Sequence, residues 1–229
     1  MNSVAILCRG KSLVGIDKLP NCNTLILVNS FKNELNDNTI SDYVENHSDI
    51  RHVVSMGAQF KSMIKQNIYS KYDFTKIVLP YVKDCNPHIP DFLYKIQDKN
   101  NKVISVENIS DECKPYMYKR GERPDGNTRY AHSFPTSGIA SICHAVVDLK
   151  ATDIHIIGLD FYEYVGYFTN SFGETSATDE LAIHRGEDSN MMKHFFTDFV
   201  KKFDNVNFIL YTMSSYYEKI DNLKIYNIE

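Results

Sequence analysis

One short run, Asp153-Ile154-His155-Ile156-Ile157-Gly158-Leu159, constrains this chain more than any other stretch. Its apolar positions are nearly continuous rather than alternating, as in a strand covered on both faces. Such strands belong to parallel sheets held between layers of helix. The residues before it have a different period. Ile139, Ile142, Val146 and Leu149 recur at spacings of three and four, which predicts a helix from Ile139 to Leu149 with one buried face. Pro135 ends whatever precedes it. Thr136-Ser137-Gly138 then brings hydroxyls and bare backbone to the unpaired N–H groups of a helix start. Gly158-Leu159-Asp160-Phe161-Tyr162 falls at the carboxyl end of the strand, where open α/β sheets bind their ligands.

Comparable apolar runs predict strands at Ser3–Cys8, Thr24–Val28, His52–Met56, Lys76–Val82, Lys102–Val106 and Asn207–Tyr211. Helical spacing marks Phe60–Tyr69, Asp91–Gln97 and Asn190–Phe203, while Asn33–Glu45 is polar and reads as helix or loop. The expected fold class is α/β: a single domain with a mainly parallel, twisted sheet flanked by helices. A chain of 229 residues buries a full core without disulfide or metal staples. Residues 1–161 read as a nucleotide-binding core and residues 190–229 as a helix and strand completing it. The segment 162–189, rich in Gly, Ser and Tyr and without a clean period, reads as a lid or loop over the site. Ser110–His132 is a further polar stretch placed over the carboxyl edge.

Charge and motifs exclude several functions. A net charge of −4 argues against nucleic acid as a partner. The five cysteines are scattered, with no Cys-x-x-Cys pair, which argues against structural zinc and for free thiols in a reducing compartment. No signal peptide and no membrane-length apolar stretch are visible, so a cytoplasmic location is expected. Peripheral association at the inner face of a membrane stays open, although no strongly basic amphipathic helix argues for it. No Gly-x-Gly-x-x-Gly favours a dinucleotide enzyme, and no Gly-x-Ser-x-Gly elbow favours a serine hydrolase. No Asp-x-Asp follows any strand, so metal-independent chemistry is expected, with no cofactor.

From Pro135 to Glu163 the order of residues resembles the bacterial sialyltransferases of glycosyltransferase family 42, in which Thr-Ser-Gly opens a helix and the next strand ends in Gly-x-Asp-Phe-Tyr. The resemblance returns after the first strand, where Gly10, Ser12 and Leu13 match the family's Gly-Asn-Gly-Pro-Ser-Leu loop while Cys8, Arg9 and Lys11 depart from it. It returns again at Asn29-Ser30-Phe31. The resemblance implies a GT-A-like variant of the Rossmann-like fold. It also implies transfer of sialic acid from CMP-sialic acid to a sugar hydroxyl of a glycan acceptor, with inversion, by a homo-oligomer. Gly10, Ser12, Asn29, Thr136, Ser137, Gly138 and Gly158 would hold the cytidine nucleotide, with Ser55 and Gln59 as further contacts. Arg9 and Lys11 would either add charge at the phosphate or lie in solvent.

The reaction needs two kinds of group. A sugar hydroxyl has a pKa far above neutral, so a base must take its proton during attack, and histidine suits that task. The resemblance assigns it to His184. The leaving phosphate needs hydrogen-bond donors, which tyrosines supply without a metal. The resemblance assigns this to Tyr162 and Tyr167, with Tyr164 as a rival for the second. Phe134 stands where the family carries an acceptor-binding arginine, and Arg129 or His132 would have to compensate. Asp160 reads as a structural carboxylate at a strand end. Two other readings stay open: transfer of another CMP-activated sugar such as Kdo, and a cytidine-nucleotide-binding module without turnover.

Overall fold

The computed structural model describes residues 2–29, 31, 33–46, 50–54, 74–80, 97, 102–119, 132–163 and 179–229; the side chains of residues 54, 119, 132–133 and 179–188 fall outside that description. Ten strands are present among these residues: β1 (Ser3–Leu7), β2 (Thr24–Val28), β3 (Ile50–Val54), β4 (Lys76–Leu79), β5 (Ser105–Asn108), β6 (Tyr118–Lys119), β7 (His132–Ser133), β8 (Asp153–Ile157), β9 (Asn207–Thr212) and β10 (Leu223–Asn227). Eight of them form one sheet in the order β10-β9-β8-β1-β2-β3-β4-β5, and every pair in it is parallel. β6 and β7 pair separately and antiparallel. The expected α/β fold is therefore present, with a sheet parallel throughout.

The continuous apolar runs follow from burial on both faces. Val4, Ile6 and Cys8 of the first strand region face one cluster, with Ile26, Ile154, Ile156 and Phe208. Ala5 and Leu7 face the other, with Leu25, Leu27 and Ile157. The first cluster is covered by α2 (Ser137–Cys143) and α3 (Asp179–Lys202), through Ile139, Ile142, Phe196 and Val200. The second is covered by the 3₁₀ segment Lys11–Lys18 and by α1 (Asn38–Asn46), through Leu13, Ile16, Ile40 and Val44.

Boundaries moved where pairing overruled local pattern. The third strand starts at Ile50 rather than His52, and the last two residues expected in it, Ser55 and Met56, lie outside the described residues. The fourth stops at Leu79, before Pro80, which has no N–H to give a ladder. The fifth lies at Ser105–Asn108 rather than Lys102–Val106. β10 is an edge strand where the sequence suggested only a terminal segment. α3 starts at Asp179, not Asn190, so the last part of the expected lid is helical. Gly186 inside it reads as a breaker, yet one glycine costs a long helix only about 1 kcal/mol relative to Ala. The helix expected over Ile139–Leu149 begins at Ser137 and widens into a π turn at His144–Asp148. That turn sets Nδ1 of His144 2.7 Å from Asp148 Oδ2, with Nε2 of the same ring 3.2 Å from Nδ1 of His52 on β3.

Candidate active site at the carboxyl rim

Strand order reverses between β1 and β8. From β1 the chain steps outward through β2 to β5, then returns to β8 on the other side. In open α/β sheets the carboxyl rim at such a reversal is the usual ligand position. Here the loops after β1 and β8 are tied to each other. Gly10 N–H donates to the Gly158 carbonyl (2.8 Å) and Cys8 N–H to that of Ile157 (2.8 Å). The Gly158 N–H donates to Ser12 Oγ (2.9 Å), and the Ser12 N–H donates to Asp160 Oδ2 (2.8 Å).

Both glycines are required by this approach. Gly158 has φ of +76°, and a Cβ there would stand 2.3 Å from the Cys8 carbonyl oxygen. A Cβ on Gly10 would meet Asp160 Oδ2 at 2.4 Å and the Gly158 carbonyl at 2.5 Å. Gly138, in the first turn of α2, sits close to Cys8 Sγ and the Leu159 side chain. The structure thus brings Gly10, Ser12, Gly138 and Gly158 together. It also gives Ser12, which is fully buried, a loop-tying bond in addition to any contact with a ligand.

Asp160 is the structural carboxylate the sequence suggested. Besides Ser12, it accepts from Thr212 Oγ1 (3.0 Å) and the Met213 N–H (3.1 Å), both on Oδ1. Three loops, those after β1, β8 and β9, therefore converge on one buried side chain. Its charge and the burial of Cys8 push that thiol's pKa far up, with burial the larger cause. Cys8 is thus a neutral packing group rather than a nucleophile.

Thr136 caps α2, its Oγ1 accepting from the Ile139 N–H at 3.3 Å, and Ser137 is buried beside it. Asn29 lies one residue past β2 on the same rim, with φ of 64°. Its Oδ1 is buried and has no hydrogen-bond partner among the described residues. Arg9 does not lie in solvent. Its side chain is 7% exposed and its Nε donates to Oε1 of the fully buried Glu34 at 2.8 Å. No local pattern marks this pairing, which joins the segment after β1 to the segment after β2.

Tyr162 is 39% exposed at the end of β8. Beside it, Glu163 accepts from the Ser215 N–H (2.5 Å) and Ser215 Oγ (2.7 Å) and pairs with Lys193 of α3. Sequence reasoning missed these partners because they come from separate elements. His184 lies within α3, but its side chain falls outside the described residues. So do Tyr164, Tyr167, Ser55, Gln59 and Arg129 entirely, and the side chain of His132. Phe134 is buried, its ring 6.5 Å from that of Phe195. Among the described residues no group of His, Cys, Asp and Glu is arranged to hold a metal ion, and no helix is long and apolar enough to cross a membrane.

No protein-family model matches this sequence, and no curated protein matches it. Solved structures do. The chain is similar to the sialyltransferase CST-II in complex with trisaccharide acceptor and CMP, with a TM-score of 0.54 at 18% identity over 91% of this chain and 80% of that one. It is similar to the sialyltransferase CstII from Campylobacter jejuni in complex with the substrate analogue CMP-3FNeuAc, with a TM-score of 0.54 at 19% identity over 92% and 81%. With an all-parallel sheet whose strand order reverses between β1 and β8, this chain has the fold of the CstII sialyltransferases.

Proposed function

We propose that this chain is a glycosyltransferase that moves sialic acid from CMP-sialic acid to a hydroxyl of a glycan acceptor. The observation that carries the reading is the unpartnered amide oxygen of Asn29, buried at the carboxyl rim just past β2, the neighbour of β1. A buried acceptor without a donor is costly, and a ligand that brings an N–H or O–H there removes the cost. The cytosine amine and the ribose hydroxyls are such donors. The shared fold supports the reading, since the similar structures hold CMP or a CMP-sugar analogue.

In this reading Gly10, Gly138 and Gly158 bring the backbone close to the nucleotide, and Ser12, Thr136 and Ser137 shape the same wall. Tyr162 and Tyr167 donate hydrogen bonds to the phosphate as the glycosidic C–O bond to CMP breaks. His184 takes the proton of the acceptor hydroxyl as its oxygen attacks the anomeric carbon from the opposite side, so configuration inverts. Stabilising the leaving group this way requires no metal.

A thermal-shift panel of CMP, CDP, UMP, NAD and S-adenosylmethionine tests binding, followed by a transfer assay with CMP-sialic acid. Preferential stabilisation by CMP is expected, with transfer lost by at least about 100-fold in His184→Ala. A response to NAD or S-adenosylmethionine alone removes the reading. CMP binding without transfer or donor hydrolysis in the intact protein leaves a nucleotide-binding module, and turnover of CMP-Kdo alone changes the sugar.

A further inference from the structure

Phe161 and Tyr162 stand consecutively in the left-handed backbone region, with φ of 49° and 58°. Bulky side chains adopt this conformation only where their surroundings impose it, and such residues gather at functional sites. The surroundings here are specific. The Phe161 ring is fully buried, with ring centroids 5.7 Å from Phe196 and 4.8 Å from Tyr216. The Glu163 N–H closes the turn by donating to the Asp160 carbonyl at 3.0 Å. Asp160 already fastens the near side of the turn to the β1 and β9 loops.

Glu163 fastens the far side, and to different partners. Its carboxylate takes the Ser215 N–H and hydroxyl from the β9 loop and the Lys193 ammonium from α3. Burial raises its pKa, but the bonds from Lys193 and Ser215 outweigh burial and hold the carboxyl below the usual range. Lys193 lies on the same helix as His184. One side chain thus joins the turn that presents Tyr162 to the helix that carries the proposed base.

We propose that Glu163 is a positioning residue for the transfer: it fixes Tyr162 at the rim and sets the Tyr162 turn against α3 through Lys193. The inference rests on the function proposed above. Glu163 touches neither donor nor acceptor in it, and acts through Tyr162.

The test compares CMP with cytidine, by calorimetry, in the full-length protein. The ratio of their affinities isolates the phosphate contacts. A hydrogen bond to a charged phosphate is worth about a tenfold change, so Tyr162→Phe is expected to lower the ratio by about that factor. Glu163→Gln and Lys193→Met are each expected to lower it several-fold while cytidine affinity holds within about twofold. The double variant Tyr162→Phe/Glu163→Gln is expected to fall no further than Tyr162→Phe alone, because the second change acts through the first. An unmoved ratio, or losses that multiply, overturns the proposal. Fluorine spectra of 3-fluorotyrosine-labelled protein give a readout free of nucleotide. The Tyr162 signal, identified by its loss in Tyr162→Phe, shifts in Glu163→Gln and in Lys193→Met if Glu163 positions it; a signal unmoved in both overturns the proposal. If the wild-type protein binds neither nucleotide, the functional reading fails, and the fluorine signal still decides for or against the brace.

Discussion

At the carboxyl rim, Asp160 takes its hydrogen bonds from two backbone N–H groups and a threonine hydroxyl, donors that keep their protons at any ordinary pH. Under α2, on the β3 flank of the sheet, the buried polar chain runs through two imidazoles, from Asp148 to His144 to His52. Nδ1 of His144 faces the Asp148 carboxylate and its Nε2 faces Nδ1 of His52, so of those two facing ring nitrogens one donates and the other accepts. Protons on both facing nitrogens at once would set donor against donor. The rim is built so that its geometry survives changes of solution. The flank's contact fails once both facing nitrogens carry a proton. The function proposed above, which places a nucleotide and a tyrosine repeatably, is better served by the first design.

The comparison breaks first at the glycines. Gly158→Ala puts a Cβ against the Cys8 carbonyl from a left-handed backbone, and a loss of at least about 3 kcal/mol is expected in urea denaturation, or failure to fold. Asp160→Asn comes next. An amide nitrogen then faces donors that had a carboxylate, and about 2–3 kcal/mol is expected to go, evenly from pH 5 to 8 if the rim is as insensitive as its donors suggest.

The flank should respond to pH instead. Burial lowers the pKa of His52 from 6.5 to about 3, with His144 and Lys76 adding to the effect and Glu107 opposing it. In this window the unfolded chain binds the proton and the folded one does not. Stability is therefore full above about pH 6.5 and falls as pH drops towards 3, by about 2 kcal/mol between pH 7 and 5. Asp148, held below its usual range by His144 and Ser110 despite its burial, adds its own loss only below its unfolded pKa near 4. Thermal melts across pH should show the slope, and His52→Gln should flatten it. The smallest effect is reserved for the surface. Lys150 and Glu112 pair at 3.0 Å with both side chains 71% exposed, so Glu112→Gln should move the midpoint by no more than about 0.5 kcal/mol.

Much of the rim was legible because its chemistry is local in sequence. Gly158 and Asp160 are two residues apart, and Thr136 caps the helix that it precedes. The strands were legible wherever both faces were apolar, as at Thr24–Val28, which matched residue for residue. Edges were not. β10 alternates weakly and becomes a strand only because β9 offers a ladder. The start of α3 was hidden by Gly186 and the polar residues around it. Neither the Arg9–Glu34 pair nor the Glu163–Lys193 pair has any local signature, since each depends on which loops meet.

By itself the sequence determined an α/β chain with a parallel sheet, and marked the turns where only glycine or a capping hydroxyl serves, because those demands arise from backbone sterics within a few residues. Tertiary structure decided which loops converge on Asp160, that Arg9 pairs with Glu34, that Asn29 keeps an unpartnered oxygen among the described residues, and that Glu163 ties its turn to α3. Those outcomes follow from strand order, which sets which loops meet and brings residues more than a hundred positions apart into contact where β1 and β8 lie side by side.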